Sequence, residues 1–579
     1  MRSRTVFEDV QGPQRAVTMV SSMSKRTGLI LFVALAALFL TVNRAAYKGY
    51  FTDDDFDHLS WTRHAPMSEF VKGFLTPAFQ TNNFRPTGHF FYHEEAQFFG
   101  FDFQKFLAAT HVLHLFNVWL LWLLARKLGA RPFAAAAGCV FFALHTGYFE
   151  AVWKPAYIFD ILCATFSLLS LLNYLRGRWV ISFLCFWLAY KSKELAVMLP
   201  FVLGCYEIWY GQKRWKPLAP FFLASGWFAL HALVLSPNKE ESPYTFHFTL
   251  GALAVTSVFY AGRVFLVPYL GFLVPIAARL SHNRRVWFGA AAMVLFLTPV
   301  LFLPGRIETA YCYLPFTGLA LALTGAAEMC HPAVIVAGLL LFCPLELHDL
   351  RLQRRDTLSK DDDARAWVTT FRKFAAGAGT VDTFWWNGAP DGFGGFGIEG
   401  AIKCFYPGAG FQIRHYDRPP VAVDDNRVAV LTWNGGLHKL DIVAHGPGTR
   451  DASYIDANVG TPVWQLGDGW SNPEGGYRWI APLTTVRFER PEGAARFEMS
   501  VLASTARLQS AGALTVQVSW DGVDLPVQSV TKPGWQVVQW NLAAAPAGAV
   551  NVTIRTEPPF QSPGDPRTLG IAVGSLGFR

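Results

Sequence analysis

The sequence is poor in charged residues for its length. Charged side chains make up 16% of the 579 residues, whereas soluble domains usually carry about 25%. Hydrophobic residues make up 52% of the chain. Between residues 29 and 350, apolar segments of about 17–25 residues recur, separated by short charged loops, a pattern typical of membrane-spanning helices. The low charge and this pattern together exclude an ordinary soluble protein for that part of the chain.

Two further features are scarce or missing. Only one of the eight cysteines, Cys404, lies after residue 350, and the others lie in apolar segments. A disulfide within the C-terminal region is therefore excluded, because a bridge needs two cysteines. The formal net charge is +8, but no basic stretch is long enough to follow a nucleic-acid backbone. Cationic loops on one side of a membrane explain this charge better.

The apolar segments predict about eleven spans. The first, at 29–42, could also be read as a signal peptide, but further apolar segments follow and no cleavage motif precedes Tyr47. The other spans are expected near 105–128, 132–150, 155–175, 178–190, 194–210, 217–236, 250–277, 286–304, 309–327 and 332–347. The short pair 178–190 and 194–210 could instead form a re-entrant hairpin, which leaves the parity unchanged.

Basic residues in short loops predict the orientation. They fall on alternate loops, which we assign to the cytoplasm: Lys25–Arg26, Arg126–Arg131, Arg176–Arg178, Lys213–Lys216 and Arg279–Arg285. The N-terminal segment 1–28 is then inside, and both loop 46–104 and the C-terminal region are outside. Arg351, Arg354 and Arg355 oppose this orientation, but long domains translocate despite such charges. The expected location is a bacterial inner membrane.

The composition changes after residue 350. Residues 351–376 are charged and predict a helical linker. From 377 to 579, short alternating segments such as LTVQVSW at 514–520 are separated by turn signals. This spacing predicts a β-sandwich or jelly roll. The expected fold is a polytopic α-helical membrane protein, with a transmembrane domain at 29–350 and an extracytoplasmic β-rich domain at 377–579.

The sharpest motif is an acidic segment in loop 46–104. Asp53, Asp54, Asp55 and Asp57 place four carboxylates in five positions. Such neighbours raise one another's pKa, so the segment needs a cation, a hydrogen-bond network or a catalytic use. A divalent metal at Asp53 and Asp55 is compatible with these ligands, but the sequence does not require one. The alternative is a solvated acidic cap of a helix, since Asp is common at N-caps.

Several cations are predicted on the same outer side. Arg85 can grip phosphate bidentately, or it can pair with the acidic segment. Lys191 and Lys193 lie against the positive-inside trend, which favours a ligand, although lysines also snorkel to the interface. Arg306 and Glu308 enter the helix at 309–327.

In chain order these motifs resemble the GT-C class of glycosyltransferases, which use polyprenyl-phosphate sugars. The similarity is greatest to relatives of the protein O-mannosyltransferases, including the transmembrane-and-TPR mannosyltransferases. It covers roughly residues 30–330, and the elements that carry it are Asp54-Asp55, Phe84-Arg85-Pro86-Thr87, the His111/His114 helix, Glu150-Ala151-Val152 with Asp160, Lys193-Glu194 with Pro200, and Arg306, Glu308 and Tyr313-Leu314-Pro315. The chain departs from the family at Ile158, where an Arg is frequent, and no TPR array follows.

The resemblance implies transfer of a hexosyl or pentosyl group from a polyprenyl-phosphate donor to a protein, lipid or glycan hydroxyl. Asp54 is the expected base, with Asp55 and Asp53 next. The expected donor-phosphate ligands are Arg85, Lys191, Lys193 and Arg306, supported by Glu150, Asp160, Glu194 and Glu308. One acting carboxylate without a separate nucleophile predicts inversion in a single step. No cofactor is required.

The C-terminal region leaves other readings open. Trp470, Tyr477 and Trp479 can stack on sugars, or they can pack into the sandwich core. A transporter or flippase of a lipid-linked sugar would also have many spans, but it should show two related halves and charges near the midplane. A membrane-anchored glycan-binding protein would need only one helix. We therefore rank glycosyl transfer first.

Overall fold

The computed structural model describes residues 25–76, 84–231, 243–416, 427–458, 460–520, 522–543, 546–562 and 564–579. Most of the predicted cytoplasmic segment 1–28 lies outside these residues, as does the end of the span predicted at 217–236. The chain forms two compact units. The first comprises Met1–Gly49 and Ala65–Arg355, and the second comprises Tyr50–His64 and Asp356–Arg579.

The N-terminal region is helical, as predicted. Its helices are α1 (Lys25–Val42), α2 (Asp53–Thr62), α3 (Met67–Leu75), α4 (Pro86–Phe99), α5 (Phe103–Lys127), α6 (Pro132–Leu144), α7 (Phe149–Trp153), α8 (Ile158–Tyr174), α9 (Trp179–Tyr190), α10 (Leu199–Trp209), α11 (Ala219–Leu230), α12 (Leu250–Val264), α13 (Leu273–Leu280), α14 (Arg284–Leu297), α15 (Tyr313–Ala327) and α16 (Pro332–Gly377). All of them except α2 begin in the first unit.

Five helical segments among the described residues are long and apolar enough to cross a membrane. They are α5, Pro155–Tyr174, Arg284–Phe302, Thr309–Ala327 and α16. A sixth span results if α6 and the segment Thr146–Trp153 are taken together. The chain is therefore a multi-pass membrane protein. Other apolar helices, such as α1 and α9, are shorter, so the number of eleven spans remains a prediction.

The break between α6 and α7 is held by a carboxylate. The two parts are bent by 43°, and a bend among apolar helices exposes backbone groups that need partners. Glu346 of α16 provides them. Its Oε2 accepts hydrogen bonds from the Thr146 N–H (2.8 Å) and hydroxyl (2.7 Å), and its Oε1 lies 2.5 Å from His145 Nδ1. A single side chain thus satisfies the start of the second helical segment.

Among its described residues, the predicted loop 46–104 contains the helices α2, α3 and α4. Pro86 occupies the first turn of α4, where its fixed φ suits a helix start. Gly100 follows its end with φ of +60°, a conformation that glycine adopts at low cost. These helices are too short to register as apolar spans, which is why the sequence pattern showed only a loop.

The last predicted span and the predicted linker at 351–376 form one helix. α16 is 46 residues long and accommodates Pro344. Between Pro344 and Gly377 the sequence contains neither glycine nor proline, so nothing local ends the helix. The boundary predicted at residue 350 followed the change from apolar to charged residues. In the structure this change lies within one continuous helix.

The second unit contains a small mixed sheet of order β2-β1-β3-β4. Its strands are β1 (Thr383–Asn387), β2 (Gln412–His415), β3 (Val428–Asn434) and β4 (Lys439–His445), with α17 (Gly395–Phe405) after β1. β1 is parallel to β2 and β3, and β4 is antiparallel to β3. α2 packs on α17, where the Phe56 ring lies 5.9 Å from that of Phe405. The predicted β-rich domain at 377–579 thus starts with an α/β layer.

The strand-rich remainder confirms the prediction of a C-terminal β domain. It comprises β5 (Tyr454–Asp456), β6 (Trp470–Pro473), β7 (Arg478–Ile480), β8 (Leu483–Arg490), β9 (Arg496–Ala503), α18 (Thr505–Ala511), β10 (Leu514–Trp520), β11 (Val523–Asp524), β12 (Gln528–Val530), β13 (Gly534–Asn541), β14 (Gly548–Glu557) and β15 (Ala572–Phe578). One sheet has the order β11-β10-β14-β8 and the other β13-β9-β15-β7-β6. Alternate residues of both sheets, such as Val486, Phe488, Met499 and Val516, form one buried core.

Candidate functional site

The acidic segment forms the first turn of α2. Asp55 is fully buried, and its Oδ2 accepts hydrogen bonds from the Thr52 N–H (2.9 Å) and hydroxyl (3.1 Å). This is the reciprocal contact of a capping box, in which the third helical residue binds the residue that precedes the helix. The capping alternative therefore applies to Asp55.

Asp53 has a different partner. Its Oδ1 accepts a hydrogen bond of 2.5 Å from the Gly397 N–H at the start of α17. Burial, together with the charges of Asp54 and Asp57, raises the pKa of Asp53 to about 6, although the backbone donors at Gly397 and Gly394 act against this rise. Asp54 is partly exposed. Asp53 and Asp55 thus bind backbone groups of Gly397 and Thr52, and Asp54 is the remaining member of the predicted triple.

The first unit contains a cluster of ion pairs built from residues that the sequence singled out. Arg85 Nε lies 2.8 Å from Glu194 Oε1, Lys193 Nζ lies 3.0 Å from Asp160 Oδ2, and Arg306 Nε lies 3.0 Å from Glu308 Oε1. We call these six residues the ion-pair cluster. Buried charges are costly unless they are paired, and those between apolar helices commonly serve function.

Five helix ends supply the ion-pair cluster. Arg85 precedes α4, and Asp160 lies in the first turn of α8. Lys193 lies between α9 and a short 3₁₀-helix that begins at Glu194. Arg306 and Glu308 precede the 3₁₀-helix Thr309–Cys312, which leads into α15. Each charge therefore stands where a helix begins or ends, and helix packing brings them together.

Tyr311 links two of the pairs. Its hydroxyl lies 2.8 Å from Arg306 Nε, and Lys193 Nζ lies 4.9 Å from the centre of its ring. The ring therefore takes part in a cation–π contact while its hydroxyl accepts a hydrogen bond. Tyr244 acts on the other side of Arg306, whose guanidinium lies 4.5 Å from the Tyr244 ring centre and also donates to its hydroxyl.

The electrostatics of the ion-pair cluster are closely coupled. Burial acts to lower the pKa of Arg85, but Glu194, together with Tyr311 and Tyr244, raises it above the ordinary value. Burial likewise acts to lower the pKa of Arg306, and Tyr311 and Glu308 raise it overall. Both guanidinium groups therefore stay charged.

The pKa of Glu308 is raised, whereas the cation of a simple ion pair would lower it. Burial raises the pKa of its carboxyl group above the ordinary value, although Arg306 and Lys193 act against this rise. Its Oε2 is buried and has no hydrogen-bond partner among the described residues. A carboxylate with one satisfied oxygen and one open oxygen can exchange a proton with a bound molecule.

Glu150 holds the segment that carries Glu308. Its Oε2 accepts hydrogen bonds from the Thr309 N–H (3.1 Å) and hydroxyl (2.7 Å). Glu150 lies in α7, directly after the bend that Glu346 fixes. Glu150 thus binds the residue next to Glu308, and its supporting role stays a prediction.

Lys191 contacts a different set of groups from Lys193. Its ammonium donates to the Thr76 carbonyl and lies 5.3 Å from the Trp187 ring centre and 5.4 Å from that of Tyr190. Burial lowers the pKa of Lys191 to about 8. Its backbone carbonyl also accepts a hydrogen bond from the Thr87 N–H, which joins the turn to α4 near Arg85.

The two helix-five histidines are tied into the helical packing. His111 Nδ1 lies 3.0 Å from the Tyr47 hydroxyl and its Nε2 lies 2.9 Å from the Val152 carbonyl oxygen. His114 Nδ1 lies 2.8 Å from the Tyr313 hydroxyl. Both side chains therefore connect neighbouring elements.

The predicted aromatic residues of the β domain divide into two groups. Trp470 packs against the sandwich core, and its Nε1 donates to the Thr485 carbonyl at 2.8 Å. Tyr477 and Trp479 are partly exposed, and their ring centres are 6.2 Å apart. The core-packing alternative therefore describes Trp470, whereas the other two remain at the surface.

No group of three or more His, Cys, Asp or Glu side chains is arranged to hold a metal ion in the part of the chain that the structure describes. Asp53 and Asp55, the two carboxylates considered for a metal, instead bind Gly397 and Thr52.

Sequence reasoning missed Tyr244 and Glu346. Tyr244 lies in a polar loop without a recognisable motif. Glu346 did have a signal, because it is a carboxylate within an apolar run, which is a candidate for function on the same ground as Asp160.

Comparison with known proteins finds distant structural similarity only. The crystal structure of ArnT from Cupriavidus metallidurans bound to undecaprenyl phosphate aligns with a TM-score of 0.43 at 12% identity, over 71% of this chain and 93% of that chain. Its apo state aligns over the same shares with a TM-score of 0.43 at 11% identity. No family model and no curated protein sequence matches.

Proposed function

We propose that this chain is a GT-C-type membrane glycosyltransferase with about eleven spans, related to the protein O-mannosyltransferases. It transfers a hexosyl or pentosyl group from a polyprenyl-phosphate donor to an acceptor hydroxyl. The reaction takes place on the extracytoplasmic face of a bacterial inner membrane, where the C-terminal domain also lies. The observation that carries the proposal is the ion-pair cluster, which joins three cations and three carboxylates at the ends of apolar helices.

The ion-pair cluster suits a lipid-linked phosphate. A polyprenyl chain stays in the hydrocarbon, so the group that binds its phosphate must sit among membrane helices. Arg85 and Arg306 have guanidinium groups that match phosphate oxygens, and Lys193 adds a compact charge beside Tyr311. Lys191 is the fourth proposed ligand and joins the same region through its backbone bond to Thr87.

The reaction we propose is a direct displacement. The acceptor hydroxyl gives its proton to a carboxylate, and its oxygen forms a bond with the anomeric carbon. The bond from that carbon to the phosphate oxygen breaks, and the polyprenyl phosphate leaves with the electron pair. The ion-pair cluster stabilises the charge on the departing phosphate. Since one displacement occurs, the anomeric configuration inverts.

Asp54 is the proposed base, with Asp55 and Asp53 as neighbours of the same helix turn. Its support is its place in the acidic pair and its partial exposure next to two carboxylates that are engaged with the backbone. Glu308 is the second candidate for the proton acceptor. Its support is the open, buried Oε2 and the raised pKa within the ion-pair cluster.

Mass spectrometry of membrane glycoconjugates tests the function and identifies sugar and acceptor. Cells with the intact gene should contain a glycoconjugate that cells lacking it do not. Asp54→Asn should abolish this product, and Asp57→Asn, a carboxylate of the same helix with no assigned role, should retain it. An active Asp54→Asn variant together with an inactive Glu308→Gln variant would transfer the role of base to Glu308.

A second experiment separates transfer from transport. A flippase would redistribute a lipid-linked sugar between the leaflets, so leaflet-selective labelling of that lipid would change while purified protein would form no glycoside. A purified full chain that converts a polyprenyl-phosphate sugar to polyprenyl phosphate and a glycosylated acceptor excludes this alternative.

A further inference from the structure

Three aromatic rings lie together on the outer face of the sheet β13-β9-β15-β7-β6. Strand register places Trp535 beside Leu502, Leu502 beside Ala572, and Ala572 beside Trp479, in one row across β13, β9, β15 and β7. The Tyr477 ring centre lies 6.2 Å from those of both Trp479 and Trp535. The exposed aromatic group thus consists of Tyr477, Trp479 and Trp535, whereas Trp470, which the sequence also indicated, packs against the core.

The backbone leaves room for this arrangement. The Trp535 ring lies over Gly574, where a Cβ atom would be 2.8 Å from the ring. Despite this contact Trp535 remains 51% exposed. The opposite face of the same sheet carries the sandwich core, with Phe497, Met499 and Val501 fully buried. The three rings are therefore not needed to fill the core, and exposed aromatic clusters of this kind mark binding surfaces.

Hydrogen-bonding groups lie in the next rows of the same face. Ser500 pairs in register with Ser575, whose hydroxyl lies 2.9 Å from that of Tyr454. In the following row Glu498 binds Arg579 Nε at 3.1 Å, and the Arg579 guanidinium lies 3.9 Å from the Tyr454 ring centre. The face thus changes from aromatic rings to hydroxyls and then to charged groups, where Glu498 pairs with both Arg579 and Arg496.

We infer that this outer face, defined by Tyr477, Trp479 and Trp535 with Ser500 and Ser575, binds a neutral saccharide chain. A pyranose ring combines an apolar C–H face, which packs on an aromatic ring, with hydroxyls at its edge that need hydrogen-bond partners. The face offers both in adjacent rows. The aromatic row (Trp535, Leu502, Ala572 and Trp479) and the Ser500–Ser575 pair carry no charged side chain, so these rows do not select an anionic polymer. The inference does not depend on the proposed transfer reaction.

Saturation-transfer NMR on the full-length protein tests this inference. The protein is kept in a detergent without a sugar headgroup, and the probes are linear maltohexaose, cellohexaose and mannohexaose. We expect saturation of pyranose C–H protons in at least one of them. Trp535→Ala should weaken binding about tenfold, the effect of removing a central aromatic contact, and Trp535→Phe, which keeps a ring, should weaken it less.

The matched control is Trp215→Ala, because Trp215 is 50% exposed in the other unit. It should bind the oligosaccharide as the native chain does. Binding by none of the probes, or equal binding by the native chain and Trp535→Ala, would overturn the inference. So would a native dimer that Trp535→Ala converts to a monomer, since the face would then be a contact between two copies of this chain.

Discussion

Lys193 and Asp160 form an ion pair that is almost fully withdrawn from solvent. Nζ and Oδ2 are 3.0 Å apart, and the side chains are 8% and 2% exposed. The pair joins the turn after α9 to the first turn of α8. Each charge is stable there only because of the other, since a buried ion without a partner carries a large desolvation cost.

Lys193→Met should therefore destabilise the protein by about 3–5 kcal/mol, because it leaves the Asp160 carboxylate buried and uncompensated. Lys105→Met is the matched control. Lys105 pairs with Asp102 at 3.3 Å, but its side chain is 58% exposed, so its loss should cost less than about 1 kcal/mol. Unfolding in detergent measures both. Equal effects would show that the buried pair is energetically ordinary, and Lys193→Met/Asp160→Leu should recover much of the loss.

Glu308 should take up a proton when an anionic donor binds. Its pKa is already raised by burial, and a phosphate near Arg306 raises it further. Binding of polyprenyl-phosphate glucose, whose diester charge is fixed, should strengthen as the pH falls, by up to about tenfold per pH unit between the free and bound pKa values.

Glu308→Gln should remove this pH dependence, because the amide does not titrate. Affinity measurements in nanodiscs from about pH 4.5, the ordinary pKa of a glutamate, upward check it. Glu399→Gln, in the other unit, serves as control. An unchanged slope in Glu308→Gln would assign the proton uptake to another group.

Asp53 should make stability depend on pH. Burial raises its pKa to about 6, so between about pH 4 and 6 the folded chain holds more protons than the unfolded chain. Its contribution to the unfolding free energy therefore falls as the pH rises through this interval. Asp53→Asn keeps an acceptor for Gly397 and does not ionise.

The melting temperature of Asp53→Asn should exceed that of the native chain at pH 7.5, and the difference should disappear at pH 4.5. The exposed Asp391→Asn serves as control. A constant difference across this range would mean that Asp53 is not the titrating group.

The contact of α2 with α17 depends on Gly400. A Cβ atom there would lie 2.5 Å from the Phe56 backbone carbonyl, and backbone cannot move aside as a flexible side chain can. Gly400→Ala should cost about 1–3 kcal/mol through overpacking. Gly379→Ala, where a Cβ meets nothing within 4 Å, should leave the melting temperature nearly unchanged. Similar melting temperatures for the two variants would show that α2 shifts without loss.

The sequence predicted the members of the ion-pair cluster but not its pairings. Arg85 and Glu194 are 109 residues apart in the chain, and no local pattern indicates which carboxylate a distant guanidinium meets. The sequence offered the acidic segment as the partner of Arg85, whereas the structure gives Glu194. Such contacts depend on helix packing, which amphipathic and apolar patterns leave undetermined.

Long periodic features were predictable, and short ones were not. The helical first part and the strand-rich end followed from apolar length and alternation. The helices α2, α3 and α4 were missed because each is too short to stand out from a polar loop. Tyr477 and Trp479 were named from composition, but their neighbour Trp535 is distant in sequence and adjacent only through strand pairing.

Glu346, which binds the break between α6 and α7, is connected to residues that it does not contact. Glu346 anchors Thr146 at the start of the segment that contains α7. That segment carries Glu150, which in turn grips Thr309, the neighbour of Glu308. Two successive carboxylates therefore connect α16 to Glu308, the second candidate for the proton acceptor. Glu346→Asp, which shortens the side chain by one methylene, should therefore change the position of Glu308 without any direct contact. Reduced turnover in such a variant would not identify Glu346 as a substrate ligand.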